Sequence, residues 1–408
     1  MGTEGYSPSV LRKAVRQAAK AASFRDASAD MAELAEVAIS ATHLQRLSER
    51  VGGEWADVRD SQVEAYRAGT LVRDYEAAPA VATVMLDGGR YQARAEDAGR
   101  GVTGPGWKEL KVACCQTYAA AASGRDPQPK PPAKFRDRAM VAELTAELKS
   151  SGPKGPPREA TPAARRRRGR KHGRRASRRL VRTVVATTQD NAAFGWQVAA
   201  EVHRRGLDRA THKACLGDGA STIWSVFEFH LQAAGFVAIL DFVHLLVYLY
   251  AAAGAAEGKG TEAAWLLYEQ WLTWAWSGQT VPLVAALTAV CRRLGAAPDG
   301  VAEDDRRRVA ADALRYVKNN RSRMDYARYR RLGLPVSSAG VESTIKQLNR
   351  RVKGSEKFWL MGGAEAIVQV RSAYLSEDGR VDRNWRRPRP YARAVGRHRL
   401  GRPTAQAH

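Results

Sequence analysis

At 408 residues the chain is long enough for two or three domains, and 66 Lys and Arg against 42 Asp and Glu give a formal net charge of +24 and a pI near 10.3, more than solubility requires. A polyanionic partner is expected. No apolar run approaches the roughly 20 residues of a spanning helix and the N-terminus lacks a signal-peptide core, so nucleic acid leads over a membrane surface, with a cytoplasmic, nucleoid-associated location. Cys114, Cys115, Cys215 and Cys291 lack paired CxxC spacing and read as small buried hydrophobes in a reducing compartment.

Residues 1–78 read as an all-α unit, with Ala, Leu, Val and Ile recurring at helical spacing between charges. A helix ending near Ala38, a short turn, and a second helix that Ser40 or Thr42 could cap make a helix-turn-helix pattern. His43, Gln45, Arg46 and Arg50 then fall on or near the recognition helix, in reach of base edges and phosphates; an ordinary helical bundle with a charged face is the alternative. From Val81 the texture is strand-like. The runs VATVMLD, GGRYQARAE and, after Gly104-Pro105-Gly106, WKELKVACCQT suggest an antiparallel three-stranded meander. Between about 120 and 179, proline-rich stretches and a basic tract predict a mobile insert with one short helix near Arg138 to Leu148. In that tract Arg165, Arg166, Arg167, Arg168, Arg170, Lys171, Arg174 and Arg175 would hold phosphates through counterion release.

Strands then alternate with helices, which makes this half α/β. LVRTVVATT is a strand, NAAFGWQVAAEVHRRGL an amphipathic helix, THKACLGDGA a strand ending in Asp218 between two glycines, and FVAILDFVH a buried strand ending in Asp241. Residues 245–335 read as all-α, and their block WLLYEQWLTWAW suits a core better than a base-stacking platform. A helix opening near Ser338 carries Glu342.

Asp87, Asp218 and Glu342 each adjoin an apolar run, where a carboxylate serves the fold poorly. A lone Asp at a strand end is usually a cap or turn former, so the conjunction carries the reading. Carboxylates are hard oxygen ligands, and three of them can hold two Mg²⁺ ions roughly 3.5–4 Å apart, one serving the attacking oxygen and the other the leaving one.

Further segments accompany these residues: LDG at 86–88, GWKELKV at 106–112, LGDGASTIW at 216–224, ILDFVH at 239–244, SAGVESTIKQLNRRVKGSEKFW at 338–359 and GGAEAIVQVR at 362–371. In them the chain resembles the DDE-type insertion-sequence transposases of the ISKra type, from about the helix-turn-helix to Arg371. The resemblance implies an α/β fold: an RNase H-like mixed five-stranded sheet with helices on both faces. That domain would span 79–244 and 336–375, interrupted by the all-α insertion and followed by a basic tail, 376–408. It implies catalytic, metal-binding Asp87, Asp218 and Glu342, with two Mg²⁺ ions, or Mn²⁺ in their place. Asp241 and His244 would form an auxiliary motif that supports the ligands or touches substrate, His244 being otherwise a satisfied buried histidine. Val247 and Tyr248 stand where the family often has a glutamate and a second histidine.

An RNase H-like sheet has strand order 3-2-1-4-5, which puts the strand ending in Asp218 beside that of Asp87 and the strand ending in Asp241 one place farther out. Strands lie about 4.8 Å apart, so Asp218 is the expected second ligand. Lys346 and Arg350, one and two turns beyond Glu342, are expected to face the phosphates of the scissile strand, unless they only solvate the helix. The implied activity is binding of insertion-sequence ends followed by phosphodiester hydrolysis and strand transfer, with double-stranded DNA as partner and, by family analogy, a homo-oligomer on DNA. The alternative is a transposase-derived DNA-binding protein whose triad no longer turns over.

Overall fold

The computed structural model describes residues 6–75, 77–94, 106–120, 122–149, 178–354 and 357–387. Local capping chemistry sets the first helices. Ser7 caps α1 (Pro8–Lys20), and Pro8 occupies a first-turn position whose amide would have no helical partner. Ser23 and Asp26 form a reciprocal capping box on α2 (Phe24–Ala35), which ends before the expected Ala38 as Glu36 turns left-handed at φ 54°. Ser40, one of the two expected caps, accepts from the His43 amide at the start of α3 (Ala41–Arg67). Leu44, Leu47, Val51 and Trp55 of α3 are buried with Leu11, Val15 and Met31, and Val370 and Ala373 of a distant C-terminal helix complete this cluster.

The sheet begins with β1 (Val81–Ala93), β2 (Trp107–Ala119) and β3 (Arg178–Thr187), an antiparallel meander. The meander differs from the expected one, since VATVMLD and GGRYQA form one strand and the third strand follows the basic tract. Gly88 and Gly89 therefore lie inside β1. A Cβ at Gly89 would come within 3.1 Å of Asn349 Oδ1, so the glycine here admits a neighbouring helix rather than a turn.

Between β2 and β3, α4 (Arg138–Lys149) lies where a short helix was expected. The chain leading to it is packed, contrary to the expected mobile insert: Phe135 is buried against Phe242 and Trp276, Asp126 pairs with Arg330 at 2.5 Å, and the Trp276 indole donates to the Gln128 carbonyl. Prolines lower the entropy lost on fixing such a strap, and one buried aromatic anchors it.

After β3 come α5 (Asn191–Arg204), β4 (His212–Gly217), α6 (Ser221–Val226) with a π-helical turn at Phe227–Leu231, and β5 (Val237–Leu240). Both β4 and β5 are parallel additions, giving the order β3-β2-β1-β4-β5. A sixth strand, β6 (Phe358–Trp359), pairs with the far end of β1, so the mixed sheet has six strands rather than five. Helices cover both faces. Cys114 Sγ lies 3.2 Å from Thr344 Oγ1 on one face, while Cys115, next in β2 and so on the opposite face, lies on the side of α5.

Five helices follow β5: α7 (Phe242–Glu257), α8 (Glu262–Trp276), α9 (Thr280–Leu294), α10 (Arg306–Asn320) and α11 (Tyr326–Arg331). Trp265, Trp271 and Trp276 are buried, in a core continuous with that of the sheet. Then come α12 (Ala339–Val352), which packs on β1 and β2, α13 (Met361–Leu375), and α14 (Arg380–Arg386). The described part of the expected basic tail is anchored: Asp378 binds Arg204, Arg380 and Arg383. Buried Arg351 and Arg371 donate to the Ala18 and Ala19 carbonyls at the C-terminal end of α1. Among the described residues, no helix is long and apolar enough to cross a membrane.

The seam between α3 and α13 is testable at Gly52, where a Cβ would meet the Ala366 carbonyl oxygen at 2.2 Å, a backbone atom that cannot swing away. Gly52→Ala is expected to lower stability by about 1–3 kcal/mol, although Ala is the better helix former, because overpacking outweighs propensity. Denaturant unfolding measures the change, and a gain in stability would mean that the two helices do not meet there.

Candidate functional site

The site sits where the parallel part of the sheet ends. Met85 of β1 pairs with Leu216 of β4; Asp87 and Asp218 each stand two residues beyond that pair, at one level on neighbouring strands spaced about 4.8 Å apart. The Asp87 carboxylate accepts from the Gly88 amide at 2.6 Å. That of Asp218 accepts from the Ala220 amide at 2.9 Å, while the backbone carbonyl of Asp218 receives the Tyr316 hydroxyl from α10. Gly219 has φ +104°, and a Cβ there would meet the Tyr316 ring at 2.7 Å, so glycine serves both the turn and the close approach of the helical insertion.

Glu342 arrives on the first turn of α12. The helix lies close on the sheet because residue 340 is glycine; a Cβ there would be 2.5 Å from Gln116 Nε2 and 3.3 Å from Met85 Sδ. Ser338, just before the helix, is tied to Asp241 twice, by its amide at 3.2 Å and its hydroxyl at 2.6 Å.

Asp241 stands directly after β5, as expected of that strand's end, and its amide still donates to the Gly217 carbonyl of β4. It is also the N-cap of α7, bonded to the Val243 amide, and His244 therefore lies on the first turn of a helix. The Asp241 side chain is fully buried, and the His244 Nδ1 donates to it at 2.7 Å. Ligand atoms of Asp241, His244 and Glu342 lie within 4.8 Å of one another.

Charge crowding marks the centre. Burial first, then the Asp218 charge and more weakly Glu342, push the Asp87 carboxyl from its ordinary 3.8 to about 7, against the Gly88 amide and His244. Burial works against a charged His244. Its bond to Asp241 and the charges of Asp241, Asp218 and Asp87 outweigh that and hold the imidazolium up to about 9. Three aspartates, a glutamate and a histidine thus form one electrostatically linked group, as functional groups commonly do. No family model matches the chain, and no curated protein matches it.

A cleft of about 480 Å³ opens over Asp87 and Asp218, lined also by Arg90, Lys111, Asn349 and Lys353. Lys346 and Arg350 are exposed on α12 and are not among its lining residues. Glu342 does not line this cleft either, so a face shared with it would not bring Lys346 and Arg350 there. From this part of the chain the residues that reach it are Asn349 of α12 and Lys353, the C-cap of that helix. Arg90 follows Asp87 on β1 itself, whereas Lys111 reaches the aspartate only through the β1–β2 register, which sets it opposite Gly88.

Of the helix-turn-helix residues, Arg46 is exposed. His43 packs on Tyr6 at 5.6 Å, Gln45 bonds Glu49 at 2.8 Å, and Arg50 is half-buried. The basic-tract residues from Arg165 to Arg175 lie outside the described residues. The cysteines form no disulfide; Cys114, Cys115 and Cys215 are buried, as expected of small hydrophobes, and Cys291 is partly so.

Proposed function

We propose that the protein is a DNA strand-cleaving and strand-transferring enzyme of the DDE transposase kind, with Asp87, Asp218 and Glu342 as its metal-binding carboxylates on an RNase H-like fold. The observation that carries this reading is the level placement of Asp87 and Asp218, each two residues beyond the last pair of the parallel β1–β4 ladder, with Glu342 close enough to raise the Asp87 pKa. The order β3-β2-β1-β4-β5, with helices inserted between β5 and the glutamate helix, supports it. So does a carboxyl held near pH 7, the state expected where like charges await a cation.

Carboxylates suit a divalent ion: Glu342 lies within 4.8 Å of the Asp241–His244 pair, and Asp87 and Asp218 act on the same centre through their charges. Bound there, such ions supply Lewis acidity to the attacking and leaving oxygens of phosphodiester exchange. The chain's own residues do the rest. Asp241 fixes His244 and, through Ser338, the start of the glutamate helix. Arg90, Lys111 and Lys353 line the cleft as cations for backbone phosphates, and the net charge of +24 favours DNA at long range.

The test is cleavage and strand transfer on duplexes bearing the element's terminal inverted repeats, with and without Mg²⁺ or Mn²⁺. Metal-dependent products support the reading, and metal-independent binding without products supports the DNA-binding alternative. Lys353→Ala is expected to flatten the slope of log affinity against log salt by about 0.9 for the phosphate contact removed, with Lys346→Ala smaller in effect. Equal slopes for Lys353→Ala and the unaltered chain would remove Lys353 from the DNA path.

A further inference from the structure

Asp241 stands near enough to His244 and Glu342 to share an ion with them, but its oxygens are already engaged. Oδ1 accepts from the amides of Val243 and Ser338, and Oδ2 accepts from the Ser338 hydroxyl and His244 Nδ1. A fully buried carboxylate with four donors on it serves as a bracket. Its effect on His244 is specific: with Nδ1 committed at 2.7 Å, the ring is held in one orientation and only Nε2 remains to meet a ligand. The His244 side chain is 20% exposed while that of Asp241 is 0% exposed, so the ring is not sealed off as its partner is.

We propose that His244 Nε2 is a direct ligand of the divalent cation gathered by Glu342 and the aspartate pair, and that the centre therefore ranks Mn²⁺ above Mg²⁺. The proposal rests on the carboxylate reading of the site and departs from it in one respect, since that reading needs oxygen ligands alone. A buried carboxylate bonded to one imidazole nitrogen, which leaves the other to a ligand, is the arrangement that metal-ligating histidines adopt, and the Glu342 carboxylate lies within 4.8 Å of this pair. Mg²⁺ prefers oxygen and gives up its water reluctantly, whereas first-row transition ions accept imidazole nitrogen readily.

Mn²⁺ added to the full-length, metal-free chain without DNA gives the test. Pulsed electron paramagnetic resonance of the bound ion is expected to show ¹⁴N modulation that changes to the ¹⁵N pattern when the protein is made with ¹⁵N-histidine. Competition should show Mn²⁺ preferred over Mg²⁺ by at least about tenfold. His244→Gln should abolish the modulation and most of the preference. Mn²⁺ bound without nitrogen coupling, or coupling that survives His244→Gln, would overturn the proposal and leave the carboxylate reading intact. If neither ion binds, both fall together. The isotope measurement uses the unaltered sequence, so it decides even if the variant fails to fold.

Discussion

Asp218→Asn is expected to lower metal-dependent strand cleavage by about 10³-fold or more while duplex affinity and stability stay near those of the unaltered chain. Loss of a metal-binding carboxylate removes several kcal/mol of transition-state stabilisation, and about 4 kcal/mol corresponds to that factor. The fold should tolerate the change, because the Asn side-chain oxygen can still accept from the Ala220 amide and the Tyr316 hydroxyl bonds the backbone carbonyl. Asp241→Asn should behave differently. It puts an amide donor where Oδ2 accepts from both Ser338 and His244; the loss of positioning should cost about 10–100-fold and leave activity measurable. Rates on a cleavable duplex, with affinity measured in parallel, separate the two. An active Asp218→Asn beside a dead Asp241→Asn would reverse the ligand assignment.

Asp87→Asn is expected to stabilise the metal-free protein at pH 8, by on the order of 2 kcal/mol. The unfolded chain releases the Asp87 proton near the ordinary 3.8, whereas the folded chain keeps it to about 7. Between those values the native state binds more protons, so stability falls as pH rises and the full penalty is present above about pH 7. Three pKa units would be worth about 4 kcal/mol, reduced here for charge shared with Asp218 and for water reaching the cleft. A second limb follows from His244, whose pKa is raised to about 9: its contribution is complete below about 6.5 and lost as pH climbs through 9. Thermal unfolding across pH 4–9 should show both declines in the unaltered chain and only the upper one in Asp87→Asn. Mn²⁺ should lift the unaltered chain at pH 8 more than the variant. A variant no more stable than its parent at pH 8 would mean that Asp87 carries no such burden.

How much of this was legible in the sequence depended on the range of the interaction. Asp87 and Asp218 could be placed because each ends an apolar run, and strand order then brings them level. Ser40 as a cap, the Trp-rich core of α8 and the short helix at Arg138 were local matters and equally readable. Gly88 and Gly89 misled, since a double glycine signals a turn unless a helix 250 residues away needs the room, as Asn349 does. The proline-rich strap misled for a related reason: composition speaks of the free chain, and Phe135 is fixed by residues of α7 and α8. The bonds from Asp241 to Ser338 exist only in the tertiary structure, and no local pattern announces them.

The placement of Glu342 also bears on the order in which the protein is made. Asp87 and Asp218 are synthesised first and meet across neighbouring strands, but the third carboxylate lies on α12, behind the whole helical insertion. That helix is seated by Ser338 on Asp241 at one end and by Arg351 on α1 at the other. In the proposed enzyme, a nascent chain would therefore be chemically silent until the helical insertion and α12 had emerged, and competence to cut DNA would arrive only once that helix had closed on Asp241 and α1.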